Sequence, residues 1–191
     1  MSSAAKPYLS EIDYLVLERK APTKSEYYKG ELFAMSGASK EHNKIVASTI
    51  VEIGQHLKGK KCSIMPSDTR VYNPLNTLFT YPDVVVTCEE EKYLDNEFDT
   101  LLNPTIIIEV LSKSTENYDR GTKFALYRSI PSLKHYVLFS SLQYLAEVYT
   151  RDGDTWVLTT ANKPEDSLYL SAIDYHFKLQ DIYIQVPDLG K

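Results

Sequence analysis

The sequence predicts an α/β (α+β) fold, a mixed central β-sheet flanked by helices. Three observations lead there. Two short apolar runs, Val84-Val85-Val86 and Ile106-Ile107-Ile108-Glu109-Val110-Leu111, lack alternation and read as strands buried on both faces. Stretches with helical spacing lie before and after them, notably Val46, Ile50, Ile53 and Leu57. A further strand and a hairpin follow the last clear helix, so helices and strands interleave. An all-β sandwich is the lesser alternative.

Each element has a local reason. Ser10 followed by Glu11 and Asp13 predicts a capped helix from about Glu11 to Lys20, stopped by Pro22. Ser25 to Met35 reads as strand with a turn at Lys29-Gly30, then a loop from Ser36 to Ser39. Ser39 should cap a second helix that ends near Lys58-Gly59. Cys62 to Tyr72 is a strand candidate, followed by a turn at Asn73-Pro74-Leu75-Asn76. The two apolar strands come next, the first headed by Tyr81-Pro82-Asp83. Ser112 to Thr115, rich in hydroxyls, leads into a helix over about Asn117 to Ser129, closed by Pro131. Lys134 to Phe139 is a strand. Tyr144 to Thr150 and Thr155 to Thr160 pair about Asp152-Gly153. Ile182 to Val186 is one more strand candidate. No repeat, linker or low-complexity segment appears, so the expectation is one domain over 1–191 with its core at about 8–185.

Composition is that of an ordinary globular protein, with 191 residues, 43% hydrophobic and 25% charged. No run is long enough to span a bilayer, and Met1 to Pro7 has no apolar signal core. The expectation is a cytoplasmic protein with Cys62 and Cys88 as separate reduced thiols. A net charge of −5 argues weakly against a nucleic-acid partner. However, residues 89–99 hold six acids and one lysine, which accounts for the whole deficit. The rest of the chain is free to present a locally basic face.

Candidate chemistry centres on Glu109. A carboxylate within a two-sided buried strand loses its water, and something must compensate: a cation, a metal or a held proton. Asp83 heads the other apolar strand. If the two strands are neighbours, the carboxylates meet at one edge and repel unless a cation lies between them, a donor set suited to Mg²⁺ or Mn²⁺. Alternatively, Asp83 is a turn residue after Pro82 and Glu109 part of a buried ion pair. Asp119, Lys123 and Tyr127 are spaced four apart and share a helix face, with Phe124 beside it as an anchor. A lysine there could reach a strand-borne carboxylate or form only a solvated pair with Asp119. His42, in the first turn of the second helix, is a metal ligand, proton relay or cap. Glu31 is a strand acid that could add a ligand or face solvent. His56, His135 and His176 read as structural. No phosphate-cradling loop, dinucleotide fingerprint, nucleophile elbow or zinc-type Cys/His cluster is present, which excludes several enzyme classes.

Together these residues resemble the PD-(D/E)XK, or restriction-endonuclease-like, nuclease superfamily. More narrowly, the chain is similar to a large bacterial family of restriction endonucleases whose members are mostly uncharacterised. The matching stretches are KSEYYKGELFAMSGASKEHNKI (24–45), YPDVVV (81–86) and NPTIIIEVLSKSTENYDRGTKFALYRSIPSLKHYVL (103–138), and the similarity extends over most of residues 8–185.

The resemblance implies a metal site at the sheet edge and additional C-terminal strands beyond the core. It makes Asp83 the acid of the Pro-Asp element and Glu109 the first acid of the second element, both binding Mg²⁺, with the Val110 carbonyl as third ligand. His42 takes the place of a first-helix metal ligand. Leu111 stands where the superfamily lysine belongs. Lys123 fits migration of that lysine to the following helix, Tyr127 fits the tyrosine that accompanies it, and Lys113 competes with Lys123. Phosphate contacts are expected from Lys40, Lys44, Lys113, Arg120 and Arg128. The implied activity is metal-dependent hydrolysis of DNA by a homodimer. The competing readings are a nuclease fold that binds nucleic acid or a protein without cleaving, and an unrelated α/β enzyme or small-molecule-binding domain.

Overall fold

The computed structural model describes residues 8–35 and 37–189. Met1 to Pro7, read above as free of a signal segment, and Ser36 of the loop lie outside the described residues.

The chain opens with α1 (Glu11–Glu18), where the Ser10 side chain accepts a hydrogen bond from the Asp13 amide. A hairpin of β1 (Ser25–Tyr28) and β2 (Glu31–Ala34) follows. Lys29 and Gly30 both have positive φ, 47° and 88°, the backbone signature of a tight hairpin turn. In α2 (Lys40–Leu57), Ser39 caps the start by accepting from the His42 amide. The strand expected over 62–72 divides into β3 (Ser63–Pro66) and β4 (Arg70–Asn73). The Thr69 amide donates to the Pro66 carbonyl and closes a turn through Ser67 and Asp68. Next come β5 (Leu78–Thr80), β6 (Val84–Thr87), β7 (Thr100–Leu101) and β8 (Ile106–Leu111).

The expected helix after β8 forms in three parts: α3 (Glu116–Tyr118), a π-helical stretch (Asp119–Lys123) and α4 (Phe124–Tyr127). Then come β9 (His135–Ser140), the hairpin β10 (Ala146–Asp152) and β11 (Thr155–Ala161), a second hairpin β12 (Ser167–Leu170) and β13 (Tyr175–Lys178), and α5 (Leu179–Ile182). The strand expected over 182–186 is not formed. The Tyr183 amide bonds to the Leu179 carbonyl and the Val186 amide to that of Tyr183, so the segment turns and buries Ile182, Tyr183 and Val186.

The mixed sheets with few flanking helices match the predicted class, although the strands are shared between two main sheets. One has the order β11-β10-β9-β8-β6-β3, with β8 and β9 parallel and the other pairs antiparallel. The other runs β2-β1-β5-β4-β7. The unbroken apolar run of β8 now has its cause. Ile106, Ile108 and Val110 pack with Ile45, Ile53 and Leu57 of α2, whereas Ile107 and Leu111 pack with Tyr127, Tyr136 and Leu138 and with Val71 and Leu78 of the second sheet. Each such side chain contributes about 1.5–3 kcal/mol on burial. Position 109 shares the parity of 107 and 111, so its carboxylate enters the second cluster's face.

One further observation revises the sequence reading. Ser63 pairs with Thr87 across β3 and β6, so Cys62 falls opposite Cys88 one step further on. The two are joined as a disulfide rather than separate thiols. The acidic 89–99 segment is tied down by cations: Arg19 binds Asp95 and Asp99, and the buried Arg70 also reaches Asp99 at 2.8 Å. These guanidinium contacts, Arg19 foremost, hold the Asp99 carboxyl far below the usual carboxylate range.

His135 is structural, as expected, and its setting fixes a pH response. The ring is fully buried; Nε2 accepts the Ala172 amide at 3.1 Å, which leaves the Nδ1 proton for Thr150 Oγ1. Burial pushes this imidazole down to about 4. The unfolded chain takes up the proton near pH 6.5 and the folded chain does not. The stability that His135 contributes is therefore complete above about pH 6.5 and is lost as pH falls towards about 4. Urea unfolding at pH 7 and 4.5 should show the acid loss shrinking by about 2 kcal/mol in His135→Gln relative to the parent. Equal acid losses in both proteins would contradict the assignment.

Candidate active site

The register of β6 and β8 builds the site. Val84 pairs with Ile108, so Asp83 comes to lie opposite Glu109 at the end of the strand pair. Asp83 Oδ2 accepts the Val110 amide at 2.7 Å and lies 3.0 Å from His42 Nε2. Glu109 Oε2 is 3.4 Å from the Asp83 amide, and Oε1 is 2.8 Å from Lys123 Nζ. Tyr127 donates to Thr80 Oγ1 at 2.7 Å and stands 3.2 Å from Glu109 Oε1; with one hydroxyl proton, the Thr80 bond is the stronger. Lys123 Nζ also lies 3.1 Å from Glu26 Oε1 and 3.7 Å from Asp119 Oδ1. The Glu26 contact is an ion pair without hydrogen-bond alignment.

The helix before α4 helps place the lysine. A π-helical turn widens the chain between Asp119 and Lys123, and both side chains turn inward to 5% and 7% exposure. Such turns recur at functional sites because they re-aim side chains without ending the helix. Phe124 anchors this stretch, stacked on Tyr136 and tilted against Tyr149.

Three carboxylates, Glu109, Glu26 and Asp119, therefore surround one ammonium, and Asp83 adjoins Glu109 from the neighbouring strand. Burial raises the Glu109 pKa well above its ordinary value, and Asp83, Asp119 and Glu26 raise it further against the pull of Lys123. Burial likewise raises Asp119. Burial works against the charge on Lys123, yet Glu109 and the other acids outweigh it and keep the ammonium protonated. Burial also pulls His42 down, and the Asp83 contact more than restores it, leaving the imidazole above 6.5. Burial and the neighbouring acids thus favour a proton on Glu109, and an added cation would work against it.

The donor chemistry fits a hard divalent ion. Two carboxylates approach from adjacent strands, and His42 Nδ1 is a buried nitrogen with no hydrogen-bond partner. Among the described residues, no three His, Cys, Asp or Glu side chains close around a point as a complete metal cage. A partial set of oxygen donors completed by water and substrate is what Mg²⁺ ordinarily accepts.

The cluster thus unites Asp83, Glu109, Lys123, Tyr127, His42 and Asp119, all singled out in the sequence. Val110 joins the cluster through its amide, which donates to Asp83. Of the two competing lysines, Lys123 stands beside Glu109, whereas Lys113 is exposed in the turn after β8. The expected phosphate contacts are scattered. Arg120 is engaged by Glu116 and Glu147, Lys44 donates to the Gln185 carbonyl, and Lys40 and Arg128 are exposed. Glu31 is exposed at the start of β2. Glu26 was missed. The available signal was its alternation with Tyr28 on β1, which puts both on the face that packs against the Tyr127 cluster.

Comparison with known proteins gives three findings. The sequence model of a family described as "Uma2: Putative restriction endonuclease" matches residues 12–180. Two uncharacterised proteins of Synechocystis sp. are similar: slr1290 is 37% identical over 95% of this chain and 94% of its own, and sll1609 is 36% identical over 83% and 90%. Among solved structures, "a putative nuclease belonging to DUF820" from Anabaena variabilis superposes with a TM-score of 0.76, covering 91% of this chain and 96% of that one. At 15% identity this last likeness shows a shared fold.

Proposed function

The chain belongs to the Uma2 family, whose description reads "Putative restriction endonuclease", and from that premise we propose that it is a divalent-metal-dependent DNA endonuclease. Phosphodiester hydrolysis would take place at the Asp83–Glu109 end of β6 and β8. The observation that supports this most is the charge count: three carboxylates converge on a single lysine, and a fourth, Asp83, adjoins one of them from the neighbouring strand.

Asp83 and Glu109 would hold Mg²⁺ or Mn²⁺, with His42 beside Asp83 and Val110 fixing the Asp83 carboxylate through its amide. When bound, such an ion supplies Lewis-acid charge to a phosphodiester oxygen and lowers the pKa of a coordinated water. Lys123, kept protonated by its acidic neighbours, orients that water or stabilises negative charge developing on the phosphorus oxygens. Asp119 and Glu26 hold the ammonium in place. Tyr127, anchored to Thr80, limits the rotation of Glu109. Lys40, Lys113 and Arg128 stand open for phosphates, and Lys44 and Arg120 would have to leave present partners to join them. Action in the cytoplasm, with two copies each taking one strand, completes the reading.

The test is an assay on supercoiled, linear duplex and single-stranded DNA with Mg²⁺ or Mn²⁺. Cleavage that EDTA abolishes is the expected result. Metal uptake and DNA binding without cleavage of any form would instead favour a nuclease fold retained for binding.

A further inference from the structure

Two aromatic rings at the edge of the acidic cluster stand open to solvent. Tyr118, on α3, is 38% exposed, and its ring centroid is 5.9 Å from Lys123 Nζ. Phe33, on β2, is 47% exposed and pairs across the hairpin with Glu26. Directly opposed residues of an antiparallel pair project from the same face, with Cβ atoms about 4.5–5.5 Å apart. Phe33 therefore stands beside Glu26, whose carboxylate is 3.1 Å from the same Lys123 Nζ. Tyr118 thus borders the ammonium, and Phe33 borders a carboxylate that contacts it. The neighbouring rings are already occupied: Tyr127 and Tyr136 are buried, and Phe124 is stacked on Tyr136.

The position also limits what these rings can recognise. The cluster carries more acids than cations, so its own charge gives a phosphate strand little attraction. Binding there needs contacts that do not depend on charge. An exposed aromatic face supplies one, because every base has a π-face to stack on it.

We propose that Phe33 and Tyr118 are stacking platforms for bases flanking the scissile phosphate, and that the strand cut here presents unpaired nucleotides, as single-stranded DNA does. The inference rests on the nuclease reading and adds its substrate class. In an intact duplex both faces of each base are covered by neighbours, and stacking on a protein ring requires unstacking first. An open strand offers bare faces.

The test is equilibrium binding of an oligonucleotide of about 15 nucleotides, near the upper site size of single-strand-binding folds. It carries phosphorothioate linkages to slow cleavage and 2-aminopurine as a stacking reporter, and is presented alone or annealed to its complement with Mg²⁺. The single strand should bind more tightly than the duplex and its reporter should be quenched. Phe33→Ala and Tyr118→Ala should each lose about tenfold in affinity for the single strand, together with part of the quench. Phe33→Tyr and Tyr118→Phe, which keep a ring, should retain both. Both positions are at the surface, and circular dichroism checks that each variant is folded. Unchanged single-strand affinity in both alanine variants overturns the proposal, as does an equal loss on duplex, which would mark a wedge between paired bases. If the alanine variants bind and cut single strands as the parent does, only the stacking inference falls. If the parent binds and cuts no form of DNA with Mg²⁺ or Mn²⁺, the nuclease reading falls with it.

Discussion

Glu109→Gln should lower metal-dependent cleavage by on the order of 10³-fold, because on the proposed mechanism several kcal/mol of transition-state stabilisation would depend on the ion that Glu109 would hold. Asp83→Asn should do the same. The metal-free proteins should nevertheless be as stable as the parent or more so. Removing one partner of a buried ion pair usually costs about 3–5 kcal/mol, since the other charge is stranded. Lys123 is not stranded by loss of Glu109, because Glu26 and Asp119 remain 3.1 Å and 3.7 Å away. Glutamine keeps the shape and can still accept from Tyr127. What disappears is repulsion among four acids. Thermal unfolding in EDTA, set beside cleavage rates in Mg²⁺, checks both halves. A clear drop in the metal-free midpoint would mean that the Glu109–Lys123 pair is a net structural bond, and full activity would remove Glu109 from the chemistry.

The reciprocal substitution should behave in the opposite way. Lys123→Met leaves Glu109, Asp119 and Glu26, with Asp83 close by, without their ammonium. The expected loss is about 3–5 kcal/mol, a fall of roughly 10 °C in the midpoint for a chain of this size. The sign with pH follows from the carboxyl groups. Glu109 already has its folded pKa raised by burial, and without Lys123 that rise is larger. A carboxyl with a raised folded pKa stabilises the fold below its unfolded value, and that stability is lost as pH rises through the folded value. The variant should therefore recover stability as pH falls towards the ordinary glutamate range near 4.5, where the parent gains less. Mn²⁺ should also restore part of the stability by mass action, without restoring cleavage. Urea unfolding from pH 7.5 to 5, with and without Mn²⁺, reads each of these effects. A variant as stable as the parent at pH 7.5 would show that the acids are solvated or protonated there.

The sequence disclosed the strands that carry the acids more fully than their surroundings. The uninterrupted apolar run of β8 announced burial on both faces, and the glutamate inside it announced a compensating partner. That logic depends only on desolvation, which holds wherever the strand lies. Lys123 and Tyr127 were legible from a spacing of four, which the π-helical turn alters without separating them. Glu26 was only faintly legible, since the one signal, its alternation with Tyr28, spans a four-residue strand. The division of 62–72 into β3 and β4 was hidden because Ile64, Met65 and Val71 look alike in a single strand and in two, and only pairing partners tell them apart. The cysteine pairing had the same cause: opposition across β3 and β6 depends on register, which separation along the chain does not encode. The β12–β13 hairpin is short and half-exposed, and its weak alternation left no clear trace.

Isothermal calorimetry of Mn²⁺ into the parent and into Glu109→Gln, each purified free of metal, tests the central claim most directly. A saturable site in the parent that is absent from the variant is the expected result. No heat of binding in the parent, even with oligonucleotide present, or equal uptake by both proteins, would contradict it.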